Sequence, residues 1–181
     1  FGFLLVFVLG CSSSSDVEET EVVLTEVDVN FENPRIQKIY EHQDRLEVDS
    51  LLPYFKFRDP TYRYLAATAM ASIQDPLTLD TLATLLSDPV PKVRQAAAYA
   101  LGQLQVTEAE TKLIQAFQNH DTLDANSPLN ETILEAIGKC GSANTLALLS
   151  EVSTYQAVDN HLLLGQARSI YRFMLRGIMH P

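Results

Sequence analysis

From residue 34 onward the apolar positions fall three and four apart instead of alternating, which is the period of a helix buried along one face. Ile36, Ile39, Tyr40 and Leu46 follow this spacing behind Pro34, whose fixed φ suits a first helical position, so a helix opens the folded region. The pattern then repeats. Residues 62–73 (YRYLAATAMASI) align without gaps with residues 93–104 (VRQAAAYALGQL) at an offset of 31, and residues 129–140 (LNETILEAIGKC) form a third copy 36 further on. The additional length lies in a loop at 120–127. A shorter amphipathic segment precedes each copy, at 51–55, 79–86 and 108–117. Asp59-Pro60, Asp75-Pro76, Asp88-Pro89 and Ser127-Pro128 punctuate these segments. An Asp or Ser oxygen satisfies the free N–H groups of a first turn, and a proline in that turn has no N–H to leave unpaired. A fourth pair is expected at about 144–152 and 158–175. The chain is therefore predicted to be all-α, built from short first helices and longer second helices.

The run from Asp88 to Gly102 (DPVPKVRQAAAYALG) resembles the second half of a HEAT repeat. The likeness is close over residues 48–140 and looser over 141–178. It implies a short right-handed α-solenoid of about four HEAT-like helix pairs, occupying 34–178, with the first helix as an N-terminal cap. Small side chains at successive contact positions let neighbouring helices approach closely, which gives the alanines a physical reason. HEAT families also carry an Asp in the turn and an Arg on the second helix, forming a ladder between repeats. Asp59 with Arg63 and Asp88 with Arg94 fit that pattern, and Asn130 in place of Arg ends it.

On each second helix, positions four apart form a stripe away from the apolar contacts. These are Tyr64, Thr68 and Ser72, then Gln95, Tyr99 and Gln103, then Glu131, Glu135 and Lys139. The resemblance places such stripes on a concave face where partners bind. Tyrosines and amides suit protein contact, with Tyr64 and Tyr99 as the expected anchors. On the last helix Arg168, Arg172 and Arg176 form a row that is either a solvated face, paired with acids of the preceding helix, or a docking edge. Beside them Ile170, Tyr171, Phe173, Met174 and Leu175 give this helix more apolar surface than a terminal cap should show, which favours a domain following Pro181.

Charge changes the picture at the N-terminus. The net charge is −10, but residues 16–32 hold seven acids and no Lys or Arg, leaving 16 acids against 13 bases elsewhere. The acidity belongs to a tether at 12–33, expected to be disordered, and the folded part lacks the basic footprint that nucleic acid requires. Within the tether 22–24 and 27–29 have the composition of a short strand. Residues 1–11 are an apolar run ending in Gly-Cys, too short to span a bilayer and suited to the core of a secretory signal. The chain opens at Phe1 instead of Met and stops abruptly after a helical stretch, which reads as a fragment at both ends. Val8-Leu9-Gly10-Cys11 resembles a bacterial lipobox, although Leu9 is bulkier than the usual residue there. The resemblance implies lipid on Cys11, and Ser12 behind it points to the outer membrane of a Gram-negative cell envelope.

Catalytic chemistry finds little footing. His42, His120, His161 and His180 have no His or Cys at metal-ligand spacing, so no metal and no cofactor are expected. Cys140 stands where the other copies have Leu104 and Ile73, the place of a small core residue. There is no phosphate loop and no nucleophile elbow. The expectation is a lipid-anchored scaffold that binds proteins. The order of lipobox, acidic tether and HEAT array also resembles the start of longer envelope proteins that continue into a cyclophilin-type peptidyl-prolyl isomerase domain. That makes a non-catalytic arm of such an isomerase the alternative.

Overall fold

The computed structural model describes residues 26–117, 127–149 and 160–178. The first helix, α1 (Pro34–Asp44), has Pro34 in its first turn and Asn33 as N-cap, whose side chain accepts from the Arg35 N–H at 2.9 Å. Leu46, expected inside this helix, lies beyond it. It takes a left-handed conformation (φ 57°) and is exposed, because the chain must reverse there to reach the next segment. Next, α2 (Val48–Leu51) tightens into a 3₁₀ turn, Leu52–Lys56, where Pro53 removes a donor. The second helix of this pair is α3 (Pro60–Ile73), capped by Asp59, which accepts from the Thr61 N–H at 2.8 Å.

The next pair repeats the plan. A 3₁₀ turn capped by Asp75 (Pro76–Thr78) leads into α4 (Leu79–Thr84), a closing turn at Leu85–Ser87, and α5 (Pro91–Leu104). Here the expected Asp88-Pro89 start is displaced. Pro91, not Pro89, occupies the first turn, and Val90 precedes it without a side-chain cap. Asp88 still accepts from the N–H two residues on, that of Val90, and takes a second partner described below. The rest comprises α6 (Glu108–Ala116), α7 (Ser127–Cys140), α8 (Ala143–Leu149) and α9 (Asn160–Leu175). Of the expected loop at 120–127, Ser127 opens α7 and 120–126 lie outside the described residues, as do the ends of the fourth pair at 150–152 and 158–159. Both α3 and α5 end in a left-handed glutamine, Gln74 (φ 60°) and Gln105 (φ 53°), at the same place in the repeat.

The long helices stack as one layer in the order α1, α3, α5, α7, α9, each against the next. The short elements form the second layer: α4 packs on α5, α6 on α5 and α7, and α8 on α9. The chain is thus an all-α solenoid of HEAT-like pairs with α1 at its N-terminal end. Leu51, Leu82, Leu101, Leu113 and Ile133 are fully enclosed between the layers, each contributing about 1.5–3 kcal/mol by burial. Ala66, Ala67, Ala69, Ala97, Ala98 and Ala100 are equally buried where long helices meet.

Two further expectations shift. Phe173, counted among the apolar surface of α9, is 0% exposed and is the largest fully buried side chain in the described residues. The folded region also begins earlier than residue 34. Val27 and Val29 pack against the core, and the Asp28 N–H donates to Thr61 Oγ1 at 3.0 Å. Residues 27–30 form no strand, and 22–24 lie outside the described residues.

Candidate functional site: the row of second helices

The ladder residues set the spacing between pairs. Arg63 on α3 reaches the following turn, where its Nε and Nη2 donate to Asp88 Oδ2 and Oδ1 at 2.6 and 2.9 Å. Its Nη1 donates to the carbonyls of Phe57 and Arg58 at 2.7 and 2.8 Å. Asp88 Oδ1 also accepts from the Val90 N–H at 2.9 Å. The two side chains are only 12% and 4% exposed, so a buried ion pair is held by a full set of hydrogen bonds. Arg63 therefore pairs with the Asp of the next turn, while its own Asp59 caps α3. Arg94 donates to the carbonyls of Asp88 and Pro89 at 2.8 and 3.2 Å. Asn130, in the arginine position of α7, is buried.

Stacked in this way, the long helices carry their stripes on neighbouring helices, and side-chain contacts join α1 to α3 and α5 to α7. Gln43 of α1 donates to Ser72 Oγ at 3.4 Å, and Gln95 to Thr132 Oγ1 at 3.1 Å and the Pro128 carbonyl at 3.3 Å. Gln103 Nε2 donates to the Tyr99 hydroxyl at 2.6 Å, and Lys139 Nζ sits 4.9 Å from the Tyr99 ring centre. Lys139 also pairs with Glu135 at 3.3 Å. Tyr99 is thus 43% exposed and fixed from two sides. Tyr64 differs from its expected role as an equal anchor: it is half-buried against the core, and its carbonyl accepts from Thr68 at 2.9 Å. Burial, reinforced by Tyr64, holds the neighbouring Tyr40 phenol above its ordinary pKa.

The arginine row turns inward along the stack. Arg168 pairs with Glu131 at 2.5 Å and Glu135 at 3.7 Å, and Arg172 with Glu135 at 3.4 Å. His161 pairs with Glu131 as well. Arg176 donates to the carbonyls of Gly138 and Gly141 at 3.2 and 2.7 Å. The expected docking edge is thus bound to α7, although Arg168 and Arg172 stay 51% and 42% exposed. The outward side of α9 is apolar instead: Leu163, Leu164, Ile170, Tyr171, Met174 and Leu175 are all more than two-fifths exposed.

Cys140 is a buried free thiol whose Sγ donates to the Ala136 carbonyl at 3.3 Å. Burial, aided by nearby Glu110, pushes its pKa up to about 12, which makes it unreactive. His42 shares a hydrogen bond with Glu47 and holds that carboxyl below its usual pKa. Cys11, His120 and His180 lie outside the described residues. Among the described residues, no group of three or more His, Cys, Asp or Glu could hold a metal, and no helix is long and apolar enough to cross a membrane.

Residues 48–126 match a family model described as HEAT repeats. HEAT-like repeats are therefore present from α2 through α6, over the stretch that carries the Arg63–Asp88 pair. No curated protein matches the chain. Sequence reasoning found the stripe and named pairing of the arginine row with acids of a preceding helix as one reading, which Arg168 and Arg172 follow on Glu131 and Glu135, but it missed the Lys139–Tyr99 contact.

Proposed function

We propose that this chain is a lipid-anchored scaffold of the bacterial cell envelope whose second-helix row binds other proteins. HEAT repeats suggest a protein-interaction scaffold. The observation that carries the reading is Tyr99, exposed on α5 beside the stripe of α7 yet fixed by Gln103 and Lys139. A ring already held in place gives contact area at little entropic cost. The row is uncharged at Ser72, Tyr99 and Gln103 and ionic at Lys139, Glu135 and Glu131, so a partner of mixed character fits it best. The anchor rests on Val8-Leu9-Gly10-Cys11 and the Ser-rich, acidic stretch behind it. Fully extended, that stretch reaches about 50 Å, enough to hold the solenoid clear of a membrane.

A photo-crosslinking residue at position 99 should capture defined envelope proteins, whereas one at the exposed Gln115 of α6 should not. Equal capture from both positions defeats the assignment of the binding row. For the anchor, Cys11→Ala should release the protein into the soluble envelope fraction and abolish lipid labelling. Membrane retention of an unlabelled wild type and mutant alike would rule the lipid out.

A further inference from the structure

The cleft between the first two pairs is a surface apart from the second-helix row. It has a volume of about 590 Å³ and opens where the turn before α2 meets the turn that leads into α4. Leu46 and Leu77 line it from these two turns, and they are 64% and 90% exposed. The fold requires neither leucine. Leu77 stands where the next pair, 31 residues on, has Glu108, which is also exposed. Leu46 takes a left-handed backbone that glycine adopts without strain, and the other non-glycine residues described in that conformation are the glutamines Gln74 and Gln105.

The charge of the cleft is one-sided. Glu47, Asp49 and Asp75 line it, and among the described residues no Lys or Arg does. Around it, Lys38 is matched by Glu41 at 3.3 Å and His42 by Glu47, which leaves Arg45 against Asp44, Asp49 and Asp75. The next groove along the stack shows that this imbalance is not a property of the repeat. There Asp80 and Lys112 already pair at 3.6 Å, and its one leucine, Leu86, is buried. Nor do the carboxylates of the first cleft gather about one ion: among the described residues, no three His, Cys, Asp or Glu could hold a metal. Acids spread between exposed leucines complement cations spaced along a chain with an apolar side chain among them. We propose that this cleft receives a basic segment of a partner protein, with a large apolar side chain against Leu46 and Leu77 and flanking lysines or arginines against Asp49 and Asp75.

The test uses the full chain and a labelled synthetic peptide of alternating arginines and leucines. One twin carries serines in place of the leucines, the other glutamates in place of the arginines. At about 0.15 M salt, which screens distant charges such as those of residues 16–32, anisotropy should show the arginine–leucine peptide binding at least about tenfold tighter than either twin. Leu77→Ser and, separately, Asp49→Asn should each weaken it at least about fivefold with helical circular dichroism unchanged, since both side chains are exposed. Asp80→Asn, which removes the same charge from the neighbouring groove, should leave binding as it was. Equal binding of the serine twin, or equal weakening by Asp80→Asn, would reduce the attraction to net charge and overturns the proposal. Binding of no peptide, or binding that both cleft variants retain, overturns it as well. So does a sedimenting dimer that Leu77→Ser dissociates, which would make the occupant a second copy.

Discussion

The two ends of the helix stack are finished in opposite ways. At the N-terminal end the exposed residues of α1 are Arg35, Gln37, Lys38, Glu41 and Asp44 besides Pro34, while Ile36 and Ile39 are fully buried. Aromatic rings gather at this end: Phe31, itself exposed, stacks on Tyr40 at 5.6 Å, and Arg35 covers the rings of Phe57 and Tyr62 at 5.2 and 5.3 Å. At the other end α9 turns six large apolar side chains outward and keeps its charges against α7. A solenoid needs a polar outer face on its terminal helices to remain unassociated. The α1 end has one. The α9 end has the surface of an interior helix with Tyr171 in place of the small residue that would let it stack. Among the described residues, then, the α1 end of the stack is largely polar and α9 leaves an apolar side exposed.

The largest expected effect lies toward the α1 end. Arg63→Ala leaves Asp88, 4% exposed, without its counter-charge and should cost about 3–5 kcal/mol in denaturant unfolding. A loss below about 1 kcal/mol would mean that the turn opens and hydrates Asp88. Next come the contact positions. Gly138→Val forces a side chain into backbone atoms of Ser169 and should cost about 1–3 kcal/mol, possible only where helices are in van der Waals contact. Tyr171→Ala, at the equivalent place on the bare face, should change stability by less than about 0.5 kcal/mol. Equal shifts in melting for the two would show that Tyr171 is packed as Gly138 is.

Much of this was legible in the sequence, for identifiable reasons. The offsets of 31 and 36 recover α3, α5 and α7 as equal helices because each copy must bury the same alanine face. Asp59 and Asp75 mark real caps, since an Asp before Pro has one geometry that satisfies a first turn. Asp88 carries the same dipeptide and makes the same bond to the N–H two residues on, but Arg63, distant in sequence, also takes its carboxylate, and α5 begins only at Pro91. The sides of α9 were misjudged likewise. Phe173 and Met174 are adjacent and equally apolar, and only the docking of α7 buries the first and leaves the second bare. The stripe was visible, but whether Tyr64 or Tyr99 stands free depends on how deeply α1 covers α3, which no local pattern encodes.

Cys140 lies where the two regimes meet, on the closed side of α7. With its pKa raised to about 12, the thiol is neutral throughout the physiological range, so iodoacetamide should label it only upon unfolding. The raised value makes the protonated thiol part of the folded state. Its contribution is complete below the unfolded value near 9 and is lost as pH rises from there through about 12. Cys140→Ala should remove that alkaline part of the pH dependence, and rapid labelling of the native protein at pH 8 would show that the seam between α7 and α9 opens.

The smallest effect tests the ionic border itself. Arg168 makes the same kind of pair as Arg63, a guanidinium on a carboxylate of the neighbouring repeat, but its side chain is 51% exposed against 12%. Water already solvates much of its charge, so the pair gains little over the separated ions, and ordering a long side chain offsets part of that. Arg168→Ala should cost no more than about 1 kcal/mol, and the difference should shrink as salt is raised from 0.05 to 0.5 M because the pair lies within reach of counterions. Arg63→Ala should keep its full cost over the same range. A salt-independent loss at Arg168 comparable to that at Arg63 would mean that the border is buried in solution, and that the α9 face is already covered.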